Sequence, residues 1–391
     1  MGDYRIPFNR PCLTGKELEY ISQAVRLGHI SGDGLFTKRC HALLADELGV
    51  AKVLLTTSGT HALDIAALAL DVQPGDEVVV PSFTFVSTVN AFVLRGAKPV
   101  FADIRPDTLN LDESQLESLL SPRTRVIVPV HYAGVACEMD TICPLAESRG
   151  IHVVEDNAHG LFGRYRGRYL GTFGCLAAQS FHETKNFHCG EGGAILINDP
   201  ALVERIEIIR EKGTNRSRFF RGEVNKYGWM DVGSSFLPSD LLAAFLYAQL
   251  ESRSDIQARR QHLWERYYRL LGDWAGQHEV RLPVVPAHCE QPYHIFYLLL
   301  PTAEQRQAAI SHLKARGILS VFHYLPLHTS DMGRRLGGAD YACPVTDWVA
   351  DRLLRLPFYN DMTDEEQDEV VTAITEVGAL GRAQNSRLGA R

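Results

Sequence analysis

No stretch of this 391-residue chain approaches the roughly 20 consecutive apolar residues of a membrane span, and the N-terminal MGDYRIPFNRP carries no apolar signal core. The eight cysteines (Cys12, Cys40, Cys137, Cys143, Cys175, Cys189, Cys289 and Cys343) form no CxxC pair and show no zinc spacing. Their pattern argues against a metal site and for a reducing cytoplasm. Positive charge is in deficit. A net charge of −7 is wrong for a nucleic-acid coat, so any bound anion must be met by local cations. The chain also has no GxGxxG after its first strand pattern and no GxxxxGK[ST] anywhere, which lowers the dinucleotide dehydrogenase and P-loop NTPase readings. Repeats and low-complexity segments are missing too.

What is present suits a folded chain of two domains with large cores: 45% hydrophobic and 22% charged residues. Thr14 with Glu17 predicts a capping box and Gly28 a helix stop; a second helix through CHALLADEL follows Thr37 and closes at Gly49. From residue 50, short apolar runs (KVLLTT, DEVVVP, KPVFADI, RVIVPVHY, IHVVED) alternate with helical patterns, the mark of a parallel sheet covered on both faces. Ser239 opens one long helical pattern that bridges to an α+β second domain. That domain is predicted to hold strands VRLPVV, YHIFYLLL and ILSVFHYL, with helices capped by Thr302 with Gln305 and by Thr363 with Glu366. The tail from Ala379 is polar and reads as frayed.

Lys185 is the most informative position. It stands in SFHETKNFHCGEGGAILIN, a predicted hairpin with reversal at Gly192-Gly193, downstream of the acidic strand end Glu155-Asp156. A lysine amine can bond to a cofactor aldehyde, and a carboxylate such as Asp156 can keep a pyridine nitrogen protonated, so the layout looks like a pyridoxal 5'-phosphate site. Each element has a bland reading beside the functional one. Lys185 alone reads as a solvated lysine, and Asp156 as an N-cap or a ribose partner. Ser58-Gly59-Thr60 before an apolar helix is either an anion site or an ordinary cap. Phe85 stacks on a pyridine ring or fills a core. His323, Tyr324 and His328 in VFHYLPLH are substrate contacts or structural groups. The basic run from Arg205 to Lys226, with Arg216, Arg218 and Arg221, is a holder of a phosphorylated substrate or a solvated face. Cys189 could serve a lyase or desulfurase as a nucleophile, or be a small buried residue.

The order of these segments, and their wording from about Ile6 to about Asn360, resembles the DegT/DnrJ/EryC1/StrS family of sugar-nucleotide aminotransferases. Within it the chain is most similar to the dTDP-4-amino-4,6-dideoxygalactose transaminases, through PGDEVVVPSFTFVSTVNAFVLRGAKPVF, RVIVPVHYAGVACEMDTI, SFHETKN, EIIREKGTNRSRFF, GSSFLPSD, VFHYLPLH and RLLRLPFY. The resemblance implies an α/β fold of the aspartate-aminotransferase type (PLP fold type I) with a mostly parallel central sheet. A large PLP-binding domain would span 1–255 and a smaller α+β domain 256–391, with active sites shared in a homodimer. It implies that Lys185 is the Schiff-base lysine and Asp156 the partner of the ring nitrogen. Gly59, Thr60 and Ser180 would meet the cofactor phosphate, Phe85 would stack on the ring, and Ser235 would reach the neighbouring subunit's cofactor, where many members carry asparagine. His159, in EDNAHG, stands where many members have glutamine beside the cofactor hydroxyl. Arg216, Arg218, Arg221, Tyr324 and His328 are the expected substrate contacts. The implied reaction moves an amine from L-glutamate to C4 of dTDP-4-keto-6-deoxyglucose. His159 tilts the expected product to the gluco epimer, with the galacto epimer as the alternative. A non-catalytic regulator on the same fold is the rival of another class, and joint retention of Lys185 and Asp156 speaks against it.

Overall fold

The computed structural model describes the backbone of residues 4–388 and side chains as far as Val377. Its main sheet contains β1 (Lys52–Thr56), β2 (Glu77–Pro81), β3 (Lys98–Ala102), β4 (Thr124–Ile127), β5 (His152–Asp156), β6 (Leu176–Ser180) and β7 (Gly193–Ile197). Their order across the sheet is β1-β7-β6-β5-β4-β2-β3. The pairs β2–β3, β2–β4, β4–β5 and β5–β6 are parallel, while β7 runs antiparallel to both β1 and β6. Apolar clusters lie on both faces, one built on the helix Gly59–Ala69 and another on Leu35–Leu48 and Asp240–Glu251. This explains why β2 and β7 are buried at every position and read as unbroken apolar runs. The fold is the expected α/β architecture.

A second apolar core gathers Leu263, Tyr267, Phe296, Leu313, Leu354, Tyr359 and Ile374. Ile6 belongs to it, tied by backbone bonds to Gly317 and Leu319, so the first residues pack with the second core although they precede the first in sequence. The helix Arg253–Gln277 joins the two: Ile256 sits in the first body of packing and Leu263 onward in the second. The predicted single helix from Ser239 is broken at Ser252, which leaves the helical register between Asp240–Glu251 and Arg253–Gln277.

Other local expectations divide by chemistry. Ser239, Thr302 and Thr363 cap their helices through their hydroxyls, and Glu366 completes the box with the Thr363 N–H at 2.9 Å. The Thr14 box forms only half: Glu17 accepts from the Thr14 N–H at 2.7 Å, but the helix starts at Glu17 after Lys16. The second helix begins at Leu35, and Thr37 inside it is bound by Asp240. The strands of the second domain are shorter than predicted. Tyr297–Leu299 pairs with Leu353–Arg355, a strand the pattern did not reveal, and Arg281 and Val321 make isolated bridges. The last helix runs in backbone from Asp364 to Leu388, past Ala379 where the frayed tail was expected; the side chains there lie outside the described residues.

Candidate active site

Period-two alternation along β5 sends its two terminal carboxylates to different tasks. Glu155 is fully buried and accepts from the N–H groups of Gly171, Phe173 and Gly174 at 2.7, 2.6 and 2.8 Å, holding the turn before β6. Asp156 accepts from the Thr88 hydroxyl at 2.7 Å and the Ala158 N–H at 3.2 Å. Because Thr88 gives its proton to Asp156, the Thr84 hydroxyl 2.8 Å away must donate to Thr88. The chain Thr84–Thr88–Asp156 orients a carboxylate and leaves it lone pairs for a further donor. Neither threonine was a sequence candidate; both lie in PSFTFVST, where Phe85 drew the attention.

Lys185 hangs in the turn between β6 and β7, its backbone N–H on the His182 carbonyl at 2.8 Å. Adjacent pairing of β5 with β6, Asp156 opposite Ala178, brings this turn beside Asp156. Burial pushes the Lys185 amine down to about 8; Asp156 pulls it up and Arg355 pushes it further down. Such an amine is neutral often enough near neutral pH to act as a base. The reversal itself uses Gly190, whose φ is 83°, and not the Gly192-Gly193 pair. Gly193 is required for a different reason: a Cβ there would stand 2.3 Å from the Ser58 backbone carbon.

That close approach sets β7 and the end of β6 against the start of the helix Gly59–Ala69. A Cβ on Gly59 would lie 3.0 Å from the Ser180 Cβ, so Gly59 and Ser180 are neighbours. Ser58 caps the helix by accepting from the His61 N–H, and among the described residues the Gly59 and Thr60 N–H groups meet no acceptor in the chain. The Thr60 hydroxyl is 2.7 Å from Ser87. Two free N–H groups at a helix start beside a serine make an anion cradle. Phe85 is 56% exposed at the end of β2, its ring 6.3 Å from Tyr324; an exposed aromatic ring at this mouth has a free face for a flat partner. Ser235 is exposed, bridged in backbone to Glu211.

His159 is buried, and burial followed by the charges of Lys185 and Arg355 holds it well below the usual imidazole range, so it is neutral. Its Nδ1 accepts from the Ala133 N–H at 3.3 Å, which puts the proton on Nε2, 3.4 Å from the Tyr324 hydroxyl. Its ring packs tilted against that of His294, centres 4.3 Å apart, and His294 gives Nδ1–H to Asn186, the residue after Lys185, at 2.8 Å. His159, Ser180, Lys185, Asn186 and His294 line one cavity.

Five sequence candidates, His328, Arg216, Arg218, Arg221 and Cys189, are not among the residues that line this cavity. His328 is buried against Ser82, Nδ1 to Oγ 2.7 Å, and clamps the second domain to the end of β2. Arg216 pairs with Glu211, Arg218 with Glu204 and Glu223, and Arg221 with Glu207 and Glu223, so each guanidinium group has a carboxylate partner within the chain. Cys189 is buried and burial pushes its thiol up to about 12, which disfavours the thiolate that a nucleophile needs. Among the described residues no group of three or more His, Cys, Asp or Glu side chains could hold a metal, and no helix is long and apolar enough to cross a membrane.

An anion cradle, an exposed ring, a shielded carboxylate and a depressed lysine in one place fit pyridoxal 5'-phosphate: Gly59, Thr60 and Ser180 would hold its phosphate, Asp156 would face its ring nitrogen and Lys185 would meet its carbonyl. The comparisons agree. Residues 11–375 match the DegT/DnrJ/EryC1/StrS aminotransferase family. A putative sugar aminotransferase, Spr1654 from Streptococcus pneumoniae, is similar in its apo form at 26% identity, covering 98% of this chain and 100% of its own, with a TM-score of 0.89, and has also been solved in PLP and PMP forms. The aminotransferase TlmJ from Streptoalloteichus hindustanus is 29% identical over 97% and 99% of the two chains, TM-score 0.87. S. venezuelae DesV in complex with a ketimine intermediate is 30% identical over 96% and 99%, TM-score 0.86. This chain belongs to the DegT/DnrJ/EryC1/StrS aminotransferase family, and its cofactor is pyridoxal 5'-phosphate.

Proposed function

We propose that the protein transfers the amino group of L-glutamate to C4 of dTDP-4-keto-6-deoxy-D-glucose and yields dTDP-4-amino-4,6-dideoxy-D-glucose. The observation that carries the transfer reading is Lys185, an amine held down to about 8 and set beside Asp156. Bound pyridoxal phosphate supplies the carbonyl that carries the amine between substrates and an electron-accepting ring. Lys185 takes the proton from the donor's α-carbon and, in the return direction, delivers a proton to sugar C4 from the same side. Asp156, its charge directed by Thr88, keeps a proton on the ring nitrogen. Neutral His159 offers Nε2–H as a donor beside Tyr324, where a glutamine amide would have offered its own. A regulator without catalysis would need neither Lys185 nor Asp156.

The gluco assignment rests on His159 in EDNAHG, an imidazole packed against His294 and 3.4 Å from the Tyr324 hydroxyl, whose shape differs from that of an amide. The galacto epimer is the second reading, favoured by the long segments shared with the galacto-forming enzymes. The protein works as a homodimer with shared sites, a reading supported by the exposed apolar side chains of Trp229, Phe220 and Leu18. Mass spectrometry of the product formed from dTDP-4-keto-6-deoxyglucose and glutamate tests the transfer, and the H3–H4 coupling tests the epimer. A large diaxial coupling is expected; a small one returns the enzyme to the galacto group, and no amine in the product removes the function.

A further inference from the structure

Just ahead of the strand Tyr297–Leu299, the segment Pro292–Tyr293–His294 is pressed against the site with its backbone in a strained shape. Tyr293 has φ 54°, in the left-handed region that bulky side chains avoid. Buried Arg260 braces it: Nε donates to the Tyr293 carbonyl at 2.8 Å and Nη2 to the His294 carbonyl at 2.5 Å, while Nη1 reaches Asn360 Oδ1 at 3.0 Å. Strain of this kind persists only where the surrounding contacts fix the chain, and it gathers at functional sites. Pro292 fits so closely against the turn at Gly134 that a Cβ there would stand 2.5 Å from the proline Cδ.

What this shape delivers is the His294 ring. Its protonation follows from its partner. The Asn186 amide gives its Nδ2 hydrogens to the Pro292 carbonyl at 2.6 Å and to Gln257 Oε1 at 3.3 Å, so its Oδ1, 2.8 Å from His294 Nδ1, can only accept. His294 therefore carries its proton on Nδ1. Burial, and after it His159 and the cations Lys185, Arg260 and Arg355, hold the imidazole well below its usual range, so it is neutral. Asn186 is itself buried, directly follows Lys185 and lines the same cavity. The amide is thus held at three points, and through it the chain on one side of Lys185 is anchored to a segment more than a hundred residues away.

We infer that His294 is a positioning residue for Lys185: its Nδ1–H locks Asn186 and thereby the turn that presents the lysine amine. The inference rests on the transaminase reading above and adds how the geometry of its proton carrier is set by a residue of the second domain. A reacting group displaced by about 1 Å can lose about a hundredfold in rate. Two variants separate hydrogen bonding from packing. His294→Phe keeps a ring against His159 but leaves Asn186 Oδ1 without its donor, whereas His294→Asn puts an amide N–H where Nδ1 stands and gives up the ring.

The first measurement needs no substrate: pyridoxal phosphate is added to apoprotein and its bond to Lys185 is trapped with borohydride at intervals. Capture should slow about tenfold to a hundredfold in His294→Phe. His294→Asn, with a void beside His159, should melt below wild type yet capture the cofactor nearly as fast, an order that lost stability alone does not produce. In steady state kcat should follow capture, with both substrate KM values held. In an Asn186→Leu background His294→Phe should bring no further loss, since the route through which it acts is already gone. Capture at the wild-type rate in His294→Phe overturns the proposal. So does a folded His294→Asn as slow as His294→Phe, or a full second loss in the Asn186→Leu background. Should capture behave as stated while glutamate yields no amino sugar, the positioning of Lys185 stands and the proposed reaction falls.

Discussion

The Thr88 hydroxyl donates to Asp156 at 2.7 Å and, its own proton so engaged, accepts from the Thr84 hydroxyl at 2.8 Å. The carboxylate is therefore oriented from one side and keeps capacity for a ring N–H on the other. Asp156→Asn preserves the shape and removes the charge. Folding should survive, while transamination slows by several kcal/mol of barrier, each ~1.4 kcal/mol being tenfold. Single-turnover rates with glutamate check this; full turnover in the variant would remove Asp156 from the mechanism.

Borohydride reduction of the holoenzyme, followed by peptide mapping, should place the pyridoxyl group on Lys185. A label on Lys212 or Lys226 would sink the site as described.

The depressed Lys185 has a consequence for stability with a definite sign. Its ordinary value is 10.5 and its folded value about 8 in the cofactor-free chain. Between those limits the unfolded state holds a proton that the native state has lost, so stability rises with pH across that window. Urea midpoints of apoprotein at pH 7.5 and 9.5 should therefore rise more in wild type than in Lys185→Met. An identical pH response in the two proteins would show that the amine is not held down.

His159→Phe keeps an aromatic ring for His294 but takes away the acceptor of the buried Ala133 N–H. An unsatisfied buried donor costs about 1–3 kcal/mol, so the denaturation midpoint should fall. His159→Gln, which can restore both an acceptor and a donor, should stay within about 1 kcal/mol of wild type on the same principle. Equal destabilisation by both variants would mean that ring packing, not hydrogen bonding, matters here.

Replacing Arg216, Arg218 and Arg221 together by alanine should leave the KM for the nucleotide sugar unchanged, since each already meets a glutamate. Glu207 and Glu211 are buried although the guanidinium groups are not, and a buried carboxylate left without its cation is destabilising, so a lowered melting temperature is the expected effect. A raised KM would restore the cluster as a substrate contact.

Much of the frame was legible in the chain because it depends on local rules. Short apolar runs bounded by turns marked β1 to β5, and hydroxyl caps marked the helices at Ser58, Ser239, Thr302 and Thr363. Asp156, Gly59, Thr60 and Ser180, each at a strand end or helix start, and Lys185, in the turn after β6, could be named as candidates from their segments and their resemblance to a family. Gly192-Gly193 misled, because the same residue type serves a positive φ or a close approach, and only the approach of Ser58 to Gly193 distinguishes them.

What tertiary structure decided are the contacts between segments far apart in sequence. Nothing local in LLRLPFY marks Arg355 as an arginine with an orphaned Nε, and nothing in VFHYLPLH separates Tyr324 at the pocket from His328 on Ser82. The charges of Arg216, Arg218 and Arg221 look free when read along the chain, yet the fold hands them Glu204, Glu207, Glu211 and Glu223. The physical reason is range. Propensity, capping and periodicity act over a few residues, whereas burial, charge pairing and hydrogen-bond satisfaction depend on which distant side chains the packed sheet and second core bring together.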